Sequence, residues 1–376
     1  MKVALVHDWL ITEGGAEKVL QALLEVFPAP VYTLFFDPKR MKNPFFLDQK
    51  ITTSFLQKCP FSTNNYKWLL PLFPYAIERL DFSWAEVIVS SSHAVAKGIK
   101  KREDQLHICY CHTPMRYAWD LKESYLHTCP PLLRGIANGL LKKLRSWDQR
   151  GEATVDAFIA NSEYVARRIK AHYKRESTVI YPPVHIDKFF LASKKEDYYV
   201  THARLVPYKR IDLWVEAFTY MPDKKLVIIG EGPEEERLKR LAKKNVEFVG
   251  FLELEKLACM LSKAKAYLFA AEEDFGIAVV EAQAAGLPVL ALKKGGVLET
   301  TVEGKSALFF EEATIASCVE IIQSFEKKED SFDSNWIRKS IEKFGEPRFK
   351  REILAFVEEK KRDFYENRDF SRGPRI

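Results

Sequence analysis

Nowhere in the 376 residues does an apolar run reach the length of about 18 that a membrane-spanning helix needs, so no span is expected. Cysteine is scarce: six are scattered along the chain, and only Cys109 and Cys111 lie close together. They form no disulfide framework, and Cys-Tyr-Cys lacks the two-residue gap of a zinc knuckle. Reduced core thiols and a cytoplasmic location are the expectation. The opening Met1-Lys2-Val3-Ala4-Leu5-Val6 is too short an apolar run before His7 and Asp8 to serve as a signal peptide. Zinc-finger spacing, the aromatic motif of RNA-binding sheets and long basic blocks are all missing, so nucleic acid is not an expected partner. The net charge of +6 is mild and compatible with anionic substrates or an anionic membrane surface. Low-complexity segments and repeats with a period of roughly 20–50 residues are also absent.

What is present is enough for two cores. Hydrophobic residues make up 47% and aromatic residues 13% of a chain too long for one ordinary core. Short apolar strands alternate with amphipathic helices. Lys2–His7 reads as a strand, and Gly14 opens a helix running to about Phe27. Further strands are expected at Val31–Phe35, Val87–Ser90, His107–Cys111, Ala157–Asn161 and Ser177–Tyr181. A second series begins with a strand at Tyr198–Thr201 and a helix from about Lys209 to Thr219. Its later strands are Lys225–Ile229, Val246–Val249, Ala266–Ala270 and Pro288–Ala291. This alternation predicts parallel sheets with helices on both faces, in two doubly wound domains. Paired prolines at Pro182-Pro183 stiffen the joint, which separates domains expected at 1–185 and 186–347. A final helix, about Glu346 to Glu366, carries an apolar stripe of Phe349, Ile353, Phe356 and Val357. Residues 348–376, which hold most of it, are expected to return to the N-terminal domain, with a loose tail at Arg368–Ile376.

Doubly wound domains put ligands just past the C-terminal ends of strands, and the chemistry-bearing residues fall there. Glu273 and Glu281 lie eight residues apart, the first after the strand ending at Ala270, the second about one turn into a helix Ile277–Ala285. Eight helical residues rise roughly 12 Å, too far to share one proton or one metal. The pair suits an elongated polar ligand whose anionic middle lies over the helix N-terminus, such as a nucleotide sugar; a solvated acidic turn at Glu272-Glu273-Asp274 is the plain alternative. Arg204 and Lys209 flank a proline turn and could hold a diphosphate leaving group, or form a solvated basic turn with Arg210. Gly14-Gly15 could cradle a phosphate or simply make a turn. His112 could touch a sugar hydroxyl or cap a loop. Gly230-Glu231-Gly232-Pro233 could admit a nucleoside by close approach, and Gly295-Gly296 repeats that idea.

Together these segments resemble the retaining, two-Rossmann-domain (GT-B) glycosyltransferases of the bacterial group 1 type, including O-antigen mannosyltransferases. The resemblance runs through His7-Asp8-Trp9-Leu10, Gly14-Gly15-Ala16-Glu17 and Ser90-Ser91-Ser92-His93-Ala94, then Cys111-His112-Thr113-Pro114-Met115-Arg116-Tyr117. It continues through Asn161-Ser162, Tyr181-Pro182-Pro183-Val184, Arg204–Arg210 and the glutamate pair. It implies an α/β fold of two doubly wound domains facing across a cleft. It also implies that Glu273, with the backbone N–H groups of Phe275 and Gly276, holds the donor hexose beside Ile277. Glu281 would hold the ribose, Arg204 and Lys209 the diphosphate, and Gly14-Gly15 would close on it from the opposite domain. His112 would line the reaction centre, Gly230 would border the nucleotide, and the base would lie near Gly250-Phe251-Leu252. Asp274 departs from the proline or glycine common in relatives. The implied reaction moves a hexose, with mannose from GDP-mannose the expected donor, to a saccharide acceptor without a side-chain nucleophile, cofactor or metal. A UDP-sugar donor, a phosphorylase or epimerase of the same fold, and a non-catalytic binding protein are the alternatives; the lysine context of a pyridoxal phosphate phosphorylase is missing.

The N-terminal half is expected to hold the acceptor. Leu133, Ile136, Leu140, Leu144 and Trp147 fall near one stripe with Arg134, Lys142, Lys143, Arg145 and Arg150 nearby. This suits an interfacial helix on an anionic membrane carrying a lipid-linked acceptor, or an ordinary helix packed on its own domain. The apolar segment Tyr66–Tyr75 poses the same choice between acceptor or lipid contact and a buried loop.

Overall fold

The computed structural model describes residues 1–41, 43–59, 63, 66–120, 126 and 130–371, with the side chains of 367–371 not described. The chain divides into two compact units, Met1–Pro183 with Phe349–Ile376, and Val184–Arg348.

In the first unit seven strands form one sheet: β1 (Val3–His7), β2 (Val31–Thr33), β3 (Ile51–Thr53), β4 (Val87–Ser92), β5 (Leu106–Cys111), β6 (Ala157–Ala160) and β7 (Ser177–Val179). Their order is β3-β2-β1-β4-β5-β6-β7, and every neighbouring pair is parallel. β1, β4 and β5 are buried at every position, as parallel strands covered on both faces must be. The edge strand β3 escapes sequence reading because Ile-Thr-Thr carries too little apolar pattern.

The second unit repeats the plan with β8 (Tyr199–His202), β9 (Leu226–Ile229), β10 (Val246–Gly250), β11 (Ala266–Phe269), β12 (Val289–Leu292) and β13 (Ala307–Phe310). The order is β10-β9-β8-β11-β12-β13, again parallel throughout. Both sheets therefore reverse their strand order beside their own first strand, between β1 and β4 and between β8 and β11, where open α/β sheets place ligands. The helix expected from Lys209 is shorter, Ile211–Ala217, with single 3-10 turns at Pro207–Lys209 and Phe218–Tyr220. Arg210 in the left-handed region, φ 52°, separates the first turn from the helix.

The last helix runs Glu346–Ser371, and Phe349, Ile353, Phe356 and Val357 enter the first unit's core beside Leu5, Leu20, Val89 and Tyr110. Each such burial is worth about 1.5–3 kcal/mol. The tail expected to be loose is helical from Arg368 through Ser371, and residues 372–376 lie outside the described residues.

The helix Arg134–Gly151 splits the stripe seen in the sequence. Its second half is anchored: Leu144 and Trp147 join the first unit's core. The buried Lys97 ammonium sits 2.7 Å from the Asp148 carboxylate, which also accepts hydrogen bonds from Trp119 Nε1 and the Tyr173 hydroxyl at 2.8 Å each. Its first half is not covered: Leu133 is 47%, Ile136 65% and Leu140 42% exposed, and Leu132 just before it is 95% exposed. In the segment Tyr66–Tyr75, Phe73 is buried while Trp68, Leu72 and Tyr75 are exposed.

Candidate functional site

The second unit's site is built on the ends of β8 and β11. Beyond β11 the chain reaches Glu273, which forms an isolated parallel bridge with Gly295 and accepts a hydrogen bond from Gly296 N at 2.8 Å. Gly295 has φ 78°, and a Cβ there would overlap the Glu273 carbonyl. The Gly295-Gly296 pair thus fixes the loop that carries the first glutamate. The helix Ile277–Ala284 then starts behind Gly276 with no side chain capping it, leaving a helix N-terminus suited to an anion. Phe275 is buried against the Phe344 ring at 5.3 Å, and Ile277 is half-buried at the first helical position.

Each glutamate has a fixed partner. The Lys209 ammonium bonds the Glu273 carboxylate. Glu281, in the helix, lies 3.0 Å from His202 Nε2, with 7% and 12% of the two side chains exposed. Tyr267 lies beside the second pair: its hydroxyl donates to the His202 carbonyl at 3.0 Å. Burial, followed by the Glu273 charge, holds its phenol far above the ordinary range. Arg204 is exposed, and Lys209 rather than Arg204 is brought onto the glutamate. Sequence reasoning misses His202 because the expected strand stops at Thr201, one residue short of the end of β8; a polar side chain at a strand's C-terminal end is the available signal.

At Gly230-Glu231-Gly232-Pro233 the chain makes a close approach to itself. A Cβ on Gly230, which has φ 127°, would overlap the Ala203 carbonyl, and one on Gly232 the Leu205 carbonyl. These glycines let the β9 turn press against the segment that carries Arg204. Leu252 is half-buried beside Phe251, which is 48% exposed and whose N–H donates to Glu231 Oε1 at 3.3 Å.

In the first unit the ends of β1, β4 and β5 meet. Asp8 is fully buried and accepts four backbone hydrogen bonds, from His93, Ala94, Val95 and Ala96, at 2.6–3.0 Å. That clamp explains why Asp8 and the Ser-Ser-Ser-His run occur together: one carboxylate satisfies the loop leaving β4. His112, 9% exposed, has Nε2 2.7 Å from Ser91 Oγ. Ser91 Oγ is in turn 3.1 Å from His7 Nδ1, and His7 Nε2 is 3.5 Å from Glu17. Burial, then the neighbouring His93 and His7, push the His112 imidazole well below its ordinary range, so it is neutral. Gly14 and Gly15 are exposed at the start of the helix Gly15–Val26, which has no side-chain cap.

Two Rossmann-like domains of parallel strands, with polar and charged groups gathered at their strand-order reversals, define the GT-B class. Residues 14–188 match the family described as Glycosyltransferase Family 4, and residues 185–343 match Glycosyl transferases group 1. Both halves of the chain thus match glycosyltransferase families, the second half that of group 1. It is 32% identical over 177 residues to a GDP-mannose-dependent monoacylated alpha-(1-6)-phosphatidylinositol monomannoside mannosyltransferase of Corynebacterium glutamicum, covering 39% of this chain and 46% of that one. It is 32% identical over 121 residues to a GDP-mannose-dependent alpha-(1-6)-phosphatidylinositol monomannoside mannosyltransferase of Mycolicibacterium smegmatis, covering 28% of this chain and 32% of that one. The chain thus spans less than half the length of these relatives. In fold it is similar to Anabaena HepE in complex with UDP, with a TM-score of 0.70, 16% identity, and coverage of 96% of this chain and 100% of that one.

Proposed function

We propose that this protein is a retaining hexosyltransferase that moves a hexose from a nucleotide sugar to a hydroxyl of a lipid-linked or growing saccharide. The donor is GDP-mannose in this reading, the pathway is assembly of cell-surface polysaccharide or lipopolysaccharide, and the setting is the cytoplasmic face of a membrane. The observation that carries it is the helix N-terminus after Gly276, flanked by Glu273 on its loop and Glu281 within the helix. That arrangement offers a carboxylate for hexose hydroxyls, an uncapped helix N-terminus for a diphosphate, and a second carboxylate for ribose hydroxyls. Lys209, already beside Glu273, would share its charge with the diphosphate as the glycosidic bond breaks, with Arg204 as a second cation. Phe275 and Gly276 would present backbone N–H groups to the hexose. Ile277, Gly230 and Leu252 would border the donor.

No side chain is assigned as nucleophile. The acceptor hydroxyl would attack on the leaving-group face and pass its proton to the departing phosphate, with His112 lining the centre; catalysis would rest on positioning and on stabilising the leaving group. No metal or cofactor is assigned a role. GDP-mannose is supported by the two mannosyltransferase relatives. A UDP-sugar donor is the second reading, favoured by the fold neighbour that carries UDP.

Membrane attachment rests on the uncovered first half of the helix Arg134–Gly151. There Leu132, Leu133, Ile136 and Leu140 are exposed with Arg134, Lys142 and Lys143, and the one acid of that helix, Asp148, is buried. Apolar and cationic groups without an exposed acid match an anionic lipid surface. No described helix is long and apolar enough to cross a membrane.

The test is a thermal-shift panel of GDP, UDP, ADP and their sugars. A ligand at a hundred times its Kd stabilises the folded state by about 2.7 kcal/mol. GDP and GDP-mannose should give the largest shifts, a larger UDP response would transfer the assignment to the second reading, and no response to any nucleotide would end both.

A further inference from the structure

We infer that His202 sets how strongly the second unit tells a ribonucleotide from its deoxy form, by fixing the Glu281 carboxylate before any ligand arrives. The inference rests on the proposed function, in which Glu281 receives the ribose hydroxyls. His202 is the last residue of β8, beside the strand-order reversal between β8 and β11. Its backbone is held from two sides: it pairs with Ile229 of β9, and its carbonyl accepts the Tyr267 hydroxyl of β11 at 3.0 Å. The Tyr267 ring also packs on the imidazole, with ring centroids 5.3 Å apart. Nε2 is thereby set 3.0 Å from Glu281 Oε2, a hydrogen bond. Facing a carboxylate, which only accepts, Nε2 donates in the neutral and the cationic imidazole alike.

The contact matters because of where Glu281 sits. Its side chain is 7% exposed, and a carboxylate so far from water is costly unless hydrogen bonds replace its hydration. An untethered glutamate also has several rotamers, and a ligand that needs one of them must supply the ordering cost itself. His202 makes that selection in the empty protein. Packing alone does not account for a histidine here: Nδ1 is buried with no hydrogen-bond partner among the described residues, a cost that an apolar side chain would avoid. The bond to Glu281 offsets it. His202 is therefore a positioning residue that acts through Glu281.

Calorimetry with GDP and with 2′,3′-dideoxy-GDP, which lacks both hydroxyls, reads this role; the uridine pair replaces them where UDP gives the larger thermal shift. Wild type should prefer GDP. His202→Ala should weaken GDP binding about tenfold and leave dideoxy-GDP within about twofold, because only the ribose hydroxyls depend on the ordered carboxylate. His202→Gln, whose amide can donate from nearly the place of Nε2, should recover most of the loss. In a Glu281→Ala background, adding His202→Ala should change GDP affinity by less than about twofold, since both changes act on one contact. A His202→Ala protein that binds GDP as tightly as wild type, or that loses GDP and dideoxy-GDP equally, overturns the inference. So does a wild type that binds the two nucleotides alike. If His202→Ala does not fold, His202→Asn, with an amide too short to reach Glu281, is read by the same criteria. A wild type that binds no nucleotide overturns the proposed function and this inference with it, whereas ribose-selective binding that His202→Ala leaves unchanged overturns the role of His202 alone.

Discussion

Replacing His107 by glutamine should flatten the acid side of the first unit's stability curve. His107 lies in β5 with no exposed surface. Its Nδ1 is 3.1 Å from the Thr154 carbonyl, which only accepts, so Nδ1 carries the single proton and Nε2, 2.8 Å from Ser90 Oγ, receives the hydroxyl. Burial, with Lys101 and Lys97 adding repulsion, lowers the imidazole from 6.5 to about 3. The unfolded chain therefore binds one more proton than the native state between those values, so this stability is fully present above pH 6.5 and is lost as pH falls through the window. The slope is about 1.4 kcal/mol per pH unit, or about 2 kcal/mol lost between pH 6.5 and 5. That is a sizeable share of the 5–15 kcal/mol typical of a domain. Urea midpoints followed by circular dichroism at pH 7, 6 and 5 measure it, the relevant transition being the one that the substitution moves. His107→Gln loses hydrogen bonds and should be less stable at pH 7, yet it should lose about 2 kcal/mol less than wild type on going to pH 5. Parallel curves for the two proteins would refute the reasoning.

Other expectations are equally specific. Glu281→Ala should weaken nucleotide binding roughly 10–100-fold in calorimetry, the range of one hydrogen bond to a charged group. Glu273→Ala should mainly depress transfer, and equal binding losses would contradict that division of roles. Ile136→Ser with Leu132→Ser should reduce sedimentation with anionic vesicles at least tenfold, because two exposed apolar side chains lose their lipid contact. The folded protein should melt as before, and wild-type binding should weaken with added salt. Unchanged vesicle binding in the double variant would remove this face from the proposal.

How much of this could be read from the residues depends on how local the cause is. The strands β1, β4, β5, β8, β9, β11 and β12 show as apolar runs because both faces of a parallel strand are buried, and burial leaves its mark residue by residue. β3 left too little such mark to be seen. The two glutamates, Lys209, His112 and Gly14-Gly15 stand out as candidates because they follow strands, where this architecture gathers ligand groups. His202 escapes because it lies one residue past the strand end that the sequence suggests, and the close packing of Gly230 on Ala203 leaves no mark in the sequence beyond the glycine itself.

By itself, then, the sequence determined two doubly wound units and the strand ends at which their chemistry must lie, since periodicity and turn residues are short-range. Only the tertiary structure decided the partners: Lys209 with Glu273 across 64 residues, His202 with Glu281 across 79, and His7 with Ser91 across 84. It also decided that Leu144 and Trp147 are buried while Ile136 and Leu140, on the same helix stripe, are exposed. No spacing along the chain encodes such contacts. They depend on strand order, which places β4 beside β1 and β11 beside β8 and so brings distant polar groups within a few ångströms, where a hydrogen bond either forms or does not.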